Sequence, residues 1–546
     1  MALIQNKTST GLAPKFDPAA FAAIAALLAA TPLIAIVVLA ITGPLDDYLI
    51  HLAQTRLSGY IVNSLIISSI AAIGAGVGGV ATAWLVSRTE FPGRKFFVWT
   101  LALPLAIPAY VAAYAWLDIS QAAGPVKTML RDANLDSIAA FLPSISGPVG
   151  AGWIFAITLY PYVYLLAREA FANQSSDTYD AARTLGQRPF QAFRRTALPM
   201  ARPAIAAGMA LVIMESLADY GAVAHLGAPT LTVGVVRAWA GAGSIADAAR
   251  LALILAAFAF VIFSIERSQR HRARVSAHSG RRRPPRREAL KGWQSIGAIF
   301  ICLAPLLVAL IIPLLRLSWL ALEASVARGM MEAFQHSLIL AAVTGFLAAL
   351  LGVGTAYALR TQSRLARVSA RLASLGYAAP GAVAAVGVIV VLSLVQDGLD
   401  QASDGAFPIL LTGTALALVF AYLSRFAAAA IGPCESALER VTPALDGAAR
   451  TLGETQVGVL KRVHWPLVSG GAMTASLIVF VEVLKELPAT MILRPFNFDT
   501  LAVIAHNYAS DERLGQAALP SIALVLTALV PMVIIARRVS RETGHG

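Results

Sequence analysis

Cysteine and charge are both scarce: 546 residues contain two cysteines, and only 13% are Asp, Glu, Lys or Arg. Cys302 and Cys434 each stand in or beside an apolar stretch, which excludes a disulfide framework and a cysteine-rich metal site. The eight histidines, His51, His225, His271, His278, His336, His464, His506 and His545, show no H-x3-H or H-E-x-x-H spacing, so no metal is expected on a single helix. No G-x-S-x-G elbow presents a nucleophile. A phosphate cradle needs G-x-x-x-x-G-K-[ST]; Gly453 and Gly458 have the glycine spacing, but Val459 and Leu460 follow them. Redox, hydrolytic and nucleotide chemistry are left without residues to carry them.

What the chain has instead is apolar length. Hydrophobic residues make up 58% of it, and the mean hydropathy of +0.70 excludes a water-soluble globule. A hydrocarbon core of about 30 Å needs about 20 apolar helical residues. Twelve such windows are present, near 19–42, 58–87, 96–117, 147–167, 201–221 and 248–265, then near 294–318, 335–359, 372–395, 408–424, 467–487 and 516–536. The fold class expected is an all-α polytopic membrane protein. The first window is too long for a signal-peptide core and reads as an uncleaved span.

Basic residues near span ends stay on the cytoplasmic side. With the connections numbered alternately from a cytoplasmic N-terminus, one face collects 33 of the 43 Lys and Arg, from Lys7 and Lys15 through 425–462 to Arg541. A lost span would invert every later loop, so the bias predicts an even number of spans and two cytoplasmic termini.

The halves repeat. Asp180-Ala-Ala-Arg-Thr-Leu-Gly186 returns as Gly447-Ala-Ala-Arg-Thr-Leu-Gly453, and Pro199 and Glu215 return as Pro466 and Glu482, all displaced by 267 positions. Six spans per unit is an even number, which makes the units parallel repeats about an axis along the membrane normal. The expected organisation is a first unit over 1–265, a basic cytoplasmic linker over 266–292 centred on Arg281-Arg-Arg-Pro-Pro-Arg-Arg287, and a second unit over 293–546. Between spans, that linker suits anionic lipid headgroups rather than nucleic acid, and its composition suggests flexibility.

Each unit has a long cytoplasmic connection between its fourth and fifth spans, at 177–199 and 443–466. Alanine-rich runs favour helix, a glycine supplies a left-handed stop before a second short helix, and a proline ends that helix and opens the next span. Each loop therefore reads as helix, turn, helix at the membrane surface. Its spacing is similar to the E-A-A-x3-G-x9-I-x-L-P motif of ATP-binding-cassette importer permeases. The candidate coupling residues are Asp180, Ala181, Ala182, Gly186 and Pro199, with Gly447, Ala448, Ala449, Gly453 and Pro466. The copies depart from the motif: Asp180 and Gly447 take the glutamate position, with Asp446 one place earlier, Thr196 and Val463 take that of isoleucine, and Trp465 that of leucine. The resemblance covers nearly the whole chain and implies two permeases fused into one. It further implies two copies of a cytoplasmic ATPase that bind ATP and Mg, a periplasmic substrate-binding protein, and no cofactor held by this chain itself.

Ionisable groups in spans are costly and face a cavity or a partner. Glu215 lies 16 residues beyond Pro199, about 24 Å along a helix, hence near the outer interface. Asp219 follows one turn later, and Glu482, Lys485 and Glu486 sit at equivalent depth in the second unit. With Tyr220 these residues are candidates to line the external mouth of the pathway, their oxygens suited to a hard cation; salt bridging at a wet interface is the plainer alternative.

For cargo, Glu215-Ser-Leu-Ala-Asp-Tyr-Gly221, Thr230-Leu-Thr-Val-Gly234 with Trp239, Lys485 through Thr500 and Ala509-Ser-Asp-Glu-Arg513 resemble the fused permeases of ferric iron importers. Fused thiamine and aminophosphonate permeases share the architecture. A gradient-driven secondary transporter is the rival; it predicts inverted repeats, or broken spans with buried charge, where this sequence shows parallel repeats and charges near span ends.

Overall fold

The computed structural model describes residues 18–44, 46–174, 176–276, 287–360, 363–404 and 408–542. Lys7, Lys15 and the linker centre at 277–286 lie outside them. Among the described residues eleven helices are long and apolar enough to cross a membrane, and a bent pair brings the number to twelve if it is one span.

That pair corrects the expected third span at 96–117. Helical segments Arg94–Ala106 and Ala109–Asp132 meet at 88°. Pro108 explains the bend: its ring pushes Ile107 out of the helical region, to φ −89° and ψ 121°. In the second unit the window 372–395 is also interrupted. Helix Arg364–Leu375 stops, and a new helix, Gly381–Ala402, starts after Pro380, which puts Ala379 at φ −77° and ψ 120°. The repeat-related proline thus bends the third span of the first unit and starts that of the second, where the 22 residues Gly381–Ala402 are long enough to cross without the helix before them.

Proline does not act as expected at the fifth spans. Pro199 and Pro466 lie at the second position of helices Leu198–Ala218 and Trp465–Leu484, and each helix continues without a break from the loop before it. Both are entered through one π-helical turn, Phe193–Ala197 and Leu460–His464. A proline lacks the N–H for the bond to the carbonyl four residues back, and a widened turn absorbs that mismatch without ending the helix.

The six-span units are not separate in space. Helix Pro18–Thr42 packs on Met330–Arg360, Arg364–Leu375 and Gly381–Ala402 of the other unit, with Phe21 seated on Gly354 and Pro32 on Gly387. Reciprocally, the second unit's first span, Trp293–Leu322, lies on the first unit. Its Arg316 Nε is 2.5 Å from Asp118 Oδ2, and its Val308 carbonyl accepts the Trp116 indole N–H at 3.0 Å. Each repeat lends its first span to the other, so both large clusters of buried apolar side chains draw on both units. The described end of the linker is fixed as well: Glu288–Ala289 pair in parallel with Thr89–Glu90, the loop after the second span.

Candidate functional site

The loops at 177–199 and 443–466 fold alike. Helices Ser176–Thr184 and Pro443–Thr451 end at Gly186 and Gly453, both left-handed at φ +83° and +85°. Short helices Pro189–Ala192 and Gln456–Val459 follow and run into the π-helical turns. Ala182 and Ala449 face inward and are buried, whereas Ala181, Ala448 and Gly447 are exposed. Leu185 and Leu452, related by the repeat, protrude with 82% and 85% of their surface exposed. Both fall at the last of the three unspecified positions before the glycine of the motif.

What holds each loop differs. In the first, Trp84 gathers Phe171, Tyr179 and Phe193, with ring centroids at 5.3, 5.6 and 4.7 Å. Arg88 lies over Trp84 and Tyr179. Burial, with the Glu288 carboxylate nearby, raises the Tyr179 phenol above its ordinary pKa. In the second, Asp446 is the organising group: its Oδ2 is 3.0 Å from Arg360 Nη2, and its Oδ1 is 2.6 Å from His464 Nε2. His464 Nδ1 is in turn 2.9 Å from the Tyr357 hydroxyl. The acidic residue displaced by one position therefore ties the loop to the second and fifth spans of its unit.

Where the two units meet they present opposed carboxylates. Glu215, Asp219, Glu482 and Glu486 line one cavity of about 70 Å³ with Lys485, Tyr110, Thr158 and Arg425. Arg425 follows the apolar window 408–424 and by sequence belongs to the loop after it. Helix Ala415–Glu439 instead continues for fourteen residues beyond it. Its guanidinium is buried and reaches Glu215 at 3.6 Å in the first unit and Glu486 at 3.5 Å in its own. Tyr377 donates to Glu215 at 3.5 Å, and Lys485 pairs with Glu482 at 3.0 Å.

Glu215, Asp219, Glu482, Lys485 and Glu486 stand at or just beyond the C-terminal ends of helices Leu198–Ala218 and Trp465–Leu484, and protein encloses them. After helix Leu198–Ala218 the chain turns back through Gly221–His225 and Leu231–Ala240 before the last span, and these segments are largely buried. Charge sits inside the bundle, not only at span ends. Asp219 and Glu486 have a structural share in that turn: Asp219 Oδ1 accepts the Ala222 N–H at 2.8 Å, and Glu486 accepts those of Ala489 and Thr490 at 3.1 and 3.2 Å. A Cβ at Gly381 would come within 2.1 Å of Glu486 Oε1, so this carboxylate needs a glycine below it. Tyr220 stands apart from the cavity lining, its ring 5.5 Å from that of His506. Tyr114 joins the units nearby, its hydroxyl 3.1 Å from His506 Nδ1. Among the described residues no three His, Cys, Asp or Glu side chains form a metal-holding group.

Comparison with known proteins agrees with this architecture. The family model described as the inner membrane component of binding-protein-dependent transport systems matches twice, at 74–274 and 348–543. Both matches omit the exchanged first spans. The Fe(3+)-transport system permease protein FbpB 2 of Haemophilus influenzae is 23% identical over 493 residues, 89% of this chain and 90% of its own length. The sulfate transport system permease protein CysT of Salmonella typhimurium is 30% identical over 160 residues, 29% of this chain and 55% of its own length. CysW of Escherichia coli K12 is 30% identical over 200 residues, 37% of this chain and 66% of its own. With helices matched twice by one family model and a relative aligned along nearly the whole length, the chain belongs to the binding-protein-dependent family of inner membrane transport components, as a fused double permease.

Proposed function

We propose that this chain is the pathway subunit of an ATP-driven importer for ferric iron, with two copies of a separate ATPase docked on the loops at 177–199 and 443–466 and a binding protein delivering cargo from outside. The observation that carries the cargo is the charge of the central cavity. Four carboxylates face two cations there, an excess of two negative charges when all are ionised. In a low-dielectric interior this repels a dianion such as sulfate and attracts a cation. Carboxylate and tyrosine oxygens are hard donors that suit iron(III). The protruding Leu185 and Leu452, presented in one register by two helix-turn-helix loops, support docking into paired sockets of a motor subunit.

Transport then follows alternating access. ATP draws the two motors together, the loops move with them, and the continuous helix through each π-helical turn carries the motion to Glu215 and Glu482. Arg425 holds Glu215 to the second unit in the present state, and separation of the units has to break that contact. Proteoliposomes holding the chain, its ATPase and its binding protein test the reading. Uptake of ferric iron, lost in Glu215→Gln/Glu482→Gln, is the expected result. Uptake of sulfate, thiamine or a phosphonate in its place would overturn the cargo assignment, and uptake with no ATPase present would overturn the coupling.

A further inference from the structure

Helix Arg364–Leu375 takes no part in the pathway, and its sequence R-L-A-R-V-S-A-R-L-A-S-L carries three stripes at helical spacing. The first, Ala366 with Ser369, Ala370 and Ala373, is buried against helix Pro18–Thr42. The second, Leu365, Val368 and Leu372, is 63%, 44% and 39% exposed. The third, Arg364, Arg367 and Arg371, is exposed too.

Its place suits a bilayer surface. Ala366 clusters with Ala22, Ala373 clusters with Ala25, and Gly376 lies beside Ala29, so the helix slants along the first turns of that span. At the same level the span itself exposes Ile24 and Leu27. The preceding helix ends at Arg360, which bonds to Asp446, so the slanted helix is on the side of the coupling loops. An apolar stripe beside an arginine stripe on a slanted surface helix matches the acyl and headgroup layers of one leaflet. Arginine forks pair with phosphate oxygens.

We propose that Arg364–Leu375 is an anionic-lipid site, in which Arg364, Arg367 and Arg371 hold phospholipid headgroups while Leu365, Val368 and Leu372 enter the acyl layer. Among the described residues the site has no copy in the first unit. The repeat equivalent, Arg94–Thr100, has seven residues, and its leading arginine is buried against Glu90 at 3.0 Å. Through Arg360, four residues before Arg364 along the chain, and its partner Asp446, the bound lipid steadies the second loop. This goes beyond the transport reading and stands without it.

The test uses the full chain in nanodiscs of phosphatidylcholine alone or mixed with phosphatidylglycerol, with native mass spectrometry to weigh the lipid retained. The expected result is preferential retention of phosphatidylglycerol, falling about fivefold for each arginine changed to Gln and largely kept in the Arg364→Lys/Arg367→Lys/Arg371→Lys chain. Single Gln variants, checked by melting temperature, serve if the triple Gln variant does not fold. Equal retention of both lipids by the unaltered chain, or undiminished phosphatidylglycerol on the Gln variants, overturns the proposal. So does a Gln variant that keeps its lipid but no longer captures the ATPase, which would assign the arginine stripe to the protein partner.

Discussion

Arg425 of the second unit lies 3.6 Å from Glu215 of the first, and its other nitrogen lies 3.5 Å from Glu486, so one buried guanidinium joins two carboxylates across the line where the repeats meet. A charge in that position is costly to desolvate, and its value depends on both partners being present. The contact therefore serves less as added stability than as a latch, strong while closed and expensive to leave half made.

Removing the guanidinium alone strands two acids inside the bundle. Arg425→Met is expected to destabilise the purified chain by about 3–5 kcal/mol, read as a large drop in melting temperature. Arg425→Met combined with Glu215→Gln and Glu486→Gln is expected to recover much of the loss. Melting of the single variant at the unaltered temperature would show that the latch is not closed in this state.

Gly381 and Glu486 make a second pair with a built-in control. Gly381→Ala drives a methyl group to 2.1 Å from Glu486 Oε1, and a clash of that kind in a packed interior costs about 1–3 kcal/mol. The first unit has Ala109 and the shorter Asp219 among its cavity residues. Glu486→Asp is thus expected to relieve Gly381→Ala, and a double-mutant cycle on melting temperature should give a coupling above about 0.5 kcal/mol. Additive effects would remove the steric explanation.

The loops should respond unequally to one kind of change. Asp446→Ala removes the acceptor for Arg360 and His464, and faster amide exchange is expected over 443–466 with 177–199 unchanged. Trp84→Ala is expected to do the reverse, because aromatic packing holds Tyr179 and Phe193. Equal exchange changes in both loops after either substitution would contradict separate anchoring.

Exchange of the first spans can be tested by splitting the chain within the linker and expressing the two pieces together. With Cys302 and Cys434 replaced by Ala, cysteines introduced at Ala25 and Ala373, which share one buried cluster, are expected to crosslink piece to piece. Crosslinking confined to aggregated material, with none in the folded complex, would argue that each repeat keeps its own first span.

Much of this was legible in the sequence for a simple reason. A bilayer demands about 20 apolar residues per span, and glycine is the cheapest residue at a left-handed helix end. Spans, repeat and loops at Gly186 and Gly453 could therefore be read from composition and spacing. Arg425 was misread for the same reason in reverse: a charge after an apolar run looks like a span end, and only its partners, far away in sequence, reveal that the helix continues.

The chain alone determined that it crosses a membrane repeatedly, that its halves are copies, and that two alanine-rich loops share one register, since each of these is written in local pattern and period. Tertiary structure decided which first span lies on which repeat, and that Glu215, Glu486 and Arg425 meet. It also decided that Asp446 stands in where Gly447 carries no acid. Those outcomes depend on contacts between residues tens to hundreds of positions apart, where packing and charge pairing choose among arrangements that a hydropathy pattern leaves equal.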